Sequence, residues 1–259
     1  MSLARLIAIT LPLMLAGCGS ADHVKETRAT TAAASVKQAS TPAAITPAKI
    51  TAKKGPALVA IPAGSGHLAA MATPRGLTLR DRPGGRVIAH LKPTTEWGSP
   101  TIVWAAERRG RWLGVVNTRL RNNQVAWLDV QRDRPRMWRA PYSLHVDLSA
   151  HTMVLRRGAE VVRRMTVGIG APSTPTPVGR FSVTDKLVPE KGVSYYGCCL
   201  LALSGHQPHL RPGWAGGDRI AIHGGTAGAA SAGCLHASEP DLKRLMKVLP
   251  IGTPVYIRA

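Results

Sequence analysis

Short alternating apolar runs, separated by tight turns, dominate the sequence from Pro74 to its end. The stretches GLTLRDRPGGRVIAHL, IVWAAERRGRWLGVV and NNQVAWLDV each contain or follow a turn rich in Gly, Pro or Asn. A period of two residues predicts β-strands, because successive side chains of a strand point to opposite faces of the sheet. We therefore expect a mainly β protein with one notable helix near the C-terminus.

The chain begins with the features of an exported lipoprotein. The apolar core of MSLARLIAITLPLMLAGCGS is too short to span a bilayer, and LAGC has the order that precedes a lipidated cysteine. We expect a signal peptide over 1–17 and a lipid anchor at Cys18 on the outer face of the cell membrane, in the cell wall space. An ordinary cleaved signal with a chance Cys18 is the alternative.

Residues 18–73 are rich in Ala, Thr, Lys and Pro and contain few large apolar groups. Such a segment buries too little surface to offset its ordering entropy, so the sequence predicts a disordered linker. The remaining residues suffice for two small domains, which we place at 74–135 and 136–259.

A strong positive charge is spread along the chain, with 34 Lys and Arg residues against 14 Asp and Glu residues and a net charge of +20. This excess favours a polyanionic surrounding such as anionic lipid headgroups or wall polymers. Nucleic acid is disfavoured as a partner, because the chain is expected to be exported and has no arginine-rich helix.

The segment 74–135 holds four of the six tryptophans, Trp97, Trp104, Trp112 and Trp127. Filling the core of a small barrel is the favoured role for them, and lining a ligand groove is the alternative. The pieces LRDRPGG, GRWLGVV and VAWLDV resemble a bacterial SH3-like module. That resemblance implies a role in binding wall peptides.

The segment 136–259 reads as strands and one helix. Three strands are predicted in YSLHVDLSAHTMVLRRGAEVVRRMTVGIG, and further strands at Phe181, in RIAIHGG and in GTPVYIR. In SEPDLKRLMKVL, Ser238 is the predicted N-cap and Asp241 its capping-box partner, with an apolar stripe at helical spacing.

Four cysteines occur, and one of them lies in a chemically suggestive place. If Cys18 is lipidated, the three others cannot all pair within the chain. Cys198 and Cys199 are adjacent and can be either bonded or buried as apolar residues. Cys234 lies in a glycine-rich loop that ends beside His236, and such a loop leaves backbone N–H groups available to an oxyanion.

His223, at the end of a predicted strand, is the candidate base for Cys234, because a thiol reacts as the thiolate and an imidazole can take its proton. A backbone carbonyl at Gly224 or Gly225 is expected to hold the other ring nitrogen. A catalytic Cys234 is expected to have a low pKa and to alkylate fast at neutral pH. A zinc site is the alternative, with His223, Cys234 and His236 as three ligands and His206 or His209 as the source of a fourth.

Three pieces of the sequence resemble the catalytic domain of bacterial L,D-transpeptidases, over about residues 142–259. They are VDLSAHTMVLRRGAEVVRRMTVGIGAPSTPTPVGRF, RIAIHGG and SAGCLHASEPDLKRLMKVLPIGTPVYI. The resemblance implies a β-sandwich, Cys234 as the nucleophile, His223 as the general base, and Ser231 and Gly233 at the oxyanion site. It implies cross-linking of third-position residues of peptidoglycan stem peptides through a cysteinyl thioester, without a cofactor or metal. An L,D-carboxypeptidase and a non-catalytic wall-binding lipoprotein are the alternatives.

The sequence departs from the usual family pattern at two positions beside the nucleophile. Ala232 stands where the family usually has His or Arg, and His236 stands where it usually has Arg or Asn. Both changes concern substrate orientation and acceptor preference. The candidate substrate-binding residues are Tyr195, Tyr196, Ser204, His206, Gly224 and His236.

Overall fold

The computed structural model describes residues 66–190, 195–210, 212–214, 217–224 and 230–259. All of them belong to one compact unit of the chain, Ser40–Ala259. The predicted signal peptide, Cys18 and most of the predicted linker lie outside the described residues. None of the helices in the described part of the chain is long and apolar enough to cross a membrane.

The first sheet is formed by the N-terminal part of the described chain. Its elements are β1 (His67–Met71), β2 (Leu77–Arg80), β3 (Val87–Leu91), β4 (Ile102–Arg109), β5 (Trp112–Val116), β6 (Ala126–Asp129), the short helix α1 (Val130–Asp133) and β7 (Arg136–Ala140). The seven strands follow the order β3-β2-β6-β5-β4-β1-β7.

The core of the first sheet comes from the alternating residues that predicted it. Leu77, Leu79 and Leu113 are almost completely buried, and Trp104 and Trp127 are also buried. Core filling is therefore the observed role of those two tryptophans. The likeness of this sheet to SH3-like modules stays a prediction.

The first sheet extends beyond the predicted segment 74–135 at both ends. Strand β1 lies in the predicted linker and pairs antiparallel with β7, from His67 opposite Ala140 to Met71 opposite Arg136. Neither HLAAM nor RMWRA contains a β-branched residue, so neither shows a strong strand pattern.

The barrel, residues 142–258, contains the remaining elements. These are β8 (Tyr142–Asp147), β9 (Thr152–Arg157), β10 (Glu160–Gly168), β11 (Gly179–Leu187), β12 (Leu200–His206), β13 (Arg219–His223), β14 (Leu235–Ala237), α2 (Glu239–Val248) and β15 (Pro254–Arg258). The predicted strands appear as β8 to β11, β13 and β15. Strands β12 and β14 were missed, because β12 is buried along almost its whole length without alternation and β14 has three residues.

The eight strands close in the order β10-β14-β13-β12-β11-β15-β8-β9. This closed barrel differs from the sandwich that the sequence analysis expected. Strand β15 pairs with both β11 and β8, and β10 pairs with both β9 and β14. These two strands join what would otherwise be two separate sheets, so no strand edge of the described barrel is left open.

Helix α2 begins as predicted. The Ser238 side chain accepts a hydrogen bond from the Asp241 N–H and donates one to the Asp241 carboxylate. Leu242 and Leu245 are fully buried, and their apolar side chains pack into the core of the barrel. The helix therefore covers the barrel close to β14, the strand that follows Cys234.

Candidate active site

Two neighbouring parallel strands bring His223 and Cys234 to the same part of the barrel. Strand β13 ends at His223, and β14 begins one residue after Cys234. The strands pair in register, with Ile222 opposite Leu235 and His223 opposite His236. The pair proposed from sequence therefore lies at the end of β13 and just before β14, two adjacent strands, although ten residues separate its members along the chain.

The imidazole of His223 is held by its own backbone neighbour. Its Nδ1 atom lies 2.7 Å from the carbonyl oxygen of Gly224, which is the backbone partner that the sequence analysis expected. The side chain is buried, and its Nε2 atom has no hydrogen-bond partner among the described residues. With Nδ1–H donating to Gly224, Nε2 carries the lone pair that a base requires.

Burial sets the protonation state of both groups. It lowers the pKa of His223 from 6.5 to about 4, against the opposing hydrogen bond to Gly224 and with a smaller contribution from His236. It raises the pKa of Cys234 from 9.0 to about 11, and a hydrogen bond with the Ala221 backbone acts in the opposite direction. The expected low-pKa thiol is therefore wrong for this resting site, which holds a neutral thiol and a neutral imidazole at pH 7.

Aromatic rings surround the candidate base. The His223 ring centroid lies 5.7 Å from that of Tyr195, 5.1 Å from that of Tyr196 and 4.7 Å from that of His236. The Gly224 N–H donates to the Tyr196 carbonyl over 3.0 Å. His236 therefore packs against the base, and both tyrosines remain candidates for contact with a substrate.

The Ser231 side chain holds the turn that carries Cys234. Its hydroxyl donates to the Cys234 carbonyl over 2.6 Å and accepts from the Gly233 N–H over 3.0 Å. The Ser231 backbone also joins the end of β10, donating to Ile169 and accepting from Ala171. Ser231 and Gly233 thus fix the backbone at the site where the family resemblance places the oxyanion.

Gln207 is a functional candidate that the sequence analysis missed. Its buried amide nitrogen donates to the carbonyl oxygens of Thr174, Pro175 and Ala232 at 3.2, 3.0 and 3.1 Å. It therefore ties the nucleophile loop to the Pro/Thr loop that precedes β11. A glutamine between two histidines gave no signal, because both loops are distant from it in sequence.

Ser204 and His206 do not belong to the groove that was expected of them. The Ser204 hydroxyl is buried and accepts a hydrogen bond from the Ser182 backbone. The two ring nitrogens of His206 contact the Asp218 carboxylate at 2.9 Å and the Thr118 carbonyl at 2.8 Å. Ser204 thus supports the barrel wall, and His206 connects the barrel to the first sheet.

The other two described cysteines form a disulfide, Cys198 to Cys199, and Cys234 is the one free cysteine in the described part of the chain. The Cys198 N–H donates to Glu239 in the first turn of α2 over 2.8 Å. Among the described residues, no group of three or more His, Cys, Asp or Glu side chains is placed to hold a metal ion.

A cavity of about 70 Å³ lies directly beside Cys234. Residues of β12, β13 and the loops around them form most of its wall. One wall residue comes from the first sheet: Trp97, whose expected role was core filling. The lining includes Trp97, Leu187, Tyr195, Tyr196, Leu200, Ala202, Gln207, Trp214, Ala221 and Cys234.

A thiol on a constrained loop, and an imidazole with a free lone pair on the neighbouring strand, are the two residue types that nucleophilic acyl transfer requires. Residues 141–257 match the family model of YkuD, the L,D-transpeptidase catalytic domain. This part of the chain therefore matches the L,D-transpeptidase catalytic domain, the family that the sequence resemblance named.

The chain is also similar to several solved structures. L,D-transpeptidase 1 of Mycobacterium tuberculosis is 21% identical, with 52% of this chain and 77% of that chain covered and a TM-score of 0.34. An L,D-transpeptidase from Mycobacterium smegmatis is 20% identical, with 74% and 82% covered and a TM-score of 0.36. Bdellovibrio bacteriovorus Bd1075 is 19% identical, with 46% of this chain covered and a TM-score of 0.38.

The match with Bd1075 spans about half of that protein, 48% of its chain. A comparison with curated proteins gave no significant match.

Proposed function

We propose that this protein is a cysteine-dependent L,D-transpeptidase that cross-links the stem peptides of peptidoglycan. Cys234 is the nucleophile and His223 the general base. The donor is a stem tetrapeptide, and the acceptor is the side-chain amine of the diamino acid in a neighbouring stem. The product is a bond between two third-position residues.

The observation that carries this proposal is the state of the His223 ring. Its Nδ1 atom is fixed on the Gly224 carbonyl, and its Nε2 atom has no partner among the described residues. A buried nitrogen with an unused lone pair has a desolvation cost, so a structure retains it where a function needs a base. Cys234, which directly precedes the adjacent strand β14, supplies the proton.

The reaction follows in two balanced steps. The Cys234 thiol gives its proton to His223 Nε2, and the sulfur attacks the carbonyl carbon of the third residue. The carbon–nitrogen bond to the terminal D-alanine breaks, and its nitrogen takes the proton back from His223. The acceptor amine then attacks the thioester, gives its proton to His223, and releases the Cys234 sulfur, which recovers that proton.

A low thiol acidity does not prevent this chemistry. Because burial disfavours both the thiolate and the imidazolium, the proton moves when the sulfur attacks, instead of residing on the histidine beforehand. Backbone N–H groups of the loop around Cys234 would stabilise the oxyanion that forms in each step.

The test is mass spectrometry of the full chain incubated with a disaccharide-tetrapeptide, beside Cys234→Ser and His223→Gln controls. We expect a cross-linked dimer with loss of D-alanine, absent from both controls. A tripeptide without dimer would mean that water is the acceptor, and the protein would be an L,D-carboxypeptidase. An unchanged tetrapeptide with the wild-type protein would contradict both and favour a wall-binding lipoprotein.

We also propose that Cys18 carries a lipid that anchors the protein on the outer face of the cell membrane, close to its substrate. The support is the LAGC sequence and the excess of basic residues, which suits anionic lipids and wall polymers. Metabolic labelling with a clickable fatty acid should mark the wild-type protein and leave Cys18→Ala unlabelled. Equal labelling of both would contradict the anchor.

A further inference from the structure

Trp97 reaches the nucleophile from outside the barrel. It lies in the loop between β3 and β4 of the first sheet, yet it lines the cavity that contains Cys234. It packs there with a small apolar cluster that includes Leu187, Leu200 and Ala221. The cavity wall is therefore built jointly by the first sheet and the barrel.

Arg219 holds the Trp97 loop in place. Its guanidinium carbon lies 4.9 Å from the centroid of the Trp97 ring, and it pairs with the Glu96 carboxylate next to that ring. The same guanidinium donates to Thr184 and to the Leu203 carbonyl, both at 2.7 Å. Since Arg219 begins β13, the strand that ends at His223, the indole ring is fixed relative to the candidate base.

A second contact fixes the backbone of the same loop. The Thr95 hydroxyl donates to the fully buried carboxylate of Asp185 over 2.5 Å. The same oxygen accepts from the N–H groups of Trp97 and Ser99, at 3.3 and 3.2 Å. Two side chains of the barrel, Asp185 and Arg219, thus set the position of this turn, and Trp97 does not depend on surface packing alone.

The size and lining of the cavity indicate which chemical group it can bind. A water molecule needs about 10–15 Å³ of such space, so about 70 Å³ accepts a group of only a few non-hydrogen atoms. The walls are mostly aliphatic and aromatic. Of the two residues that flank the scissile bond of the donor, the diamino acid has a long polar side chain, whereas the terminal D-alanine has one methyl group.

We infer that Trp97 is a specificity-determining residue, whose ring closes the pocket for the leaving D-alanine and excludes larger terminal residues. The inference rests on the proposed function. In the first step the carbon–sulfur bond forms, the carbon–nitrogen bond to the terminal residue breaks, and that residue leaves as a free amino acid from beside the indole ring.

The test compares two synthetic donors, disaccharide-tetrapeptides that end in D-alanine or in D-leucine, with the full chain. The kcat/KM for release of each terminal residue is measured for the wild type, Trp97→Ala, Trp97→Leu and Trp97→Phe. Trp112→Ala is the matched control, because Trp112 is a half-buried tryptophan of the same sheet that stacks with Arg111 and does not line the cavity.

The wild type should prefer D-alanine. Trp97→Ala and Trp97→Leu should shift the ratio of the two kcat/KM values toward D-leucine by about tenfold or more, the scale of a change of a few methylene groups in a pocket. Trp97→Phe and Trp112→Ala should keep the wild-type ratio. The Leu variant retains apolar packing, so it provides the test if the Ala variant does not fold.

An equal loss of activity toward both donors in the Ala and Leu variants would overturn the inference, since a merely structural tryptophan lowers both rates without changing the ratio. An unchanged ratio with unchanged rates would overturn it too. A wild-type protein that releases neither residue would instead overturn the proposed function, and the inference with it.

Discussion

The Nδ1 atom of His223 lies 2.7 Å from the carbonyl oxygen of Gly224, its direct neighbour in the chain. Because a carbonyl oxygen can only accept, this contact assigns the proton to Nδ1 and leaves the lone pair on Nε2. A catalytic dyad commonly relies on a carboxylate or amide side chain for this orientation. Here the backbone at the end of β13 provides it.

The first prediction concerns the acid limb of activity. Burial lowers the pKa of His223 to about 4, so the base should remain neutral well below the ordinary histidine value of 6.5. The groups that face its ring are Tyr195, Tyr196 and His236. We expect kcat/KM for the tetrapeptide donor to be constant from neutral pH to about 5 and to fall below about 4. An acid limb centred at 6.5 would contradict this.

A second prediction links the same group to stability. The unfolded chain protonates this histidine below pH 6.5, whereas the folded chain does so only near pH 4. Its contribution to stability is therefore complete above 6.5 and is lost as the pH falls toward 4, by about 3 kcal/mol over this window.

Urea unfolding at pH 7, 5.5 and 4 measures that contribution when the wild type is compared with His223→Gln. The variant should lose less free energy of unfolding on acidification, because glutamine does not titrate. His67 and His145 also have pKa values lowered by burial, but both are present in the two proteins and cancel in the comparison. Parallel pH curves would contradict the assignment.

The third prediction is the reactivity of the thiol. With the pKa of Cys234 raised from 9.0 to about 11, its thiolate fraction at pH 7 is about 100-fold lower than that of an ordinary thiol. Alkylation by iodoacetamide should be slow at pH 7 and rise by about tenfold per pH unit up to pH 10.

Peptide-level mass spectrometry follows the Cys234 peptide alone. The same peptide in the urea-unfolded chain is the matched control, since it has the same sequence without burial. Equal rates in folded and unfolded protein at pH 7 would contradict the raised pKa. Slower alkylation in the folded protein would instead show why fast alkylation is a poor criterion for a catalytic cysteine whose pKa is raised.

The sequence was sufficient for the features that depend on local pattern. The short apolar runs in TMVLRR and in RIAIH, and the Ser238 cap of α2, are local features, and the structure has strands and a helix there. His223 and Cys234 were proposed from sequence, because few residue types can act as a nucleophile and a base, and their roles stay a prediction.

The features that were missed depend on contacts between distant segments. Asn122 donates to the His206 carbonyl over 2.6 Å and accepts from the His206 N–H over 2.8 Å, which pairs the first sheet with the barrel across 84 residues. No local pattern predicts that contact. The same holds for Trp97, whose neighbours in sequence gave no indication that it lies beside Cys234.

The fourth prediction concerns Gln207. Removing its amide in Gln207→Ala leaves three carbonyl oxygens without their donor, and an unsatisfied buried acceptor costs about 1–3 kcal/mol. We expect a lower melting temperature and a reduced kcat, because the Ala232 carbonyl belongs to the nucleophile loop. Gln131→Ala is the control, since Gln131 accepts only an exposed hydrogen bond from Arg111. Equal effects of the two variants would contradict this role.

The last prediction separates backbone strain from steric conflict at Gly233. This residue has φ +115°, and an added Cβ would lie 2.1 Å from the Gln207 amide nitrogen. Gly233→Ala should therefore displace Gln207, loosen the turn before Cys234, and reduce donor turnover by at least the effect of Gln207→Ala. A Cβ contact this short requires one of the two side chains to move.

Gly84→Ala is the matched control for this variant. Gly84 also has positive φ, +70°, but an added Cβ there meets nothing within 4 Å, so that variant has backbone strain alone. It should lower the melting temperature modestly and leave turnover unchanged, whereas Gly233→Ala should lower both. Full turnover in Gly233→Ala would show that the loop tolerates movement of Gln207, and would remove Gln207 from the residues that position the nucleophile.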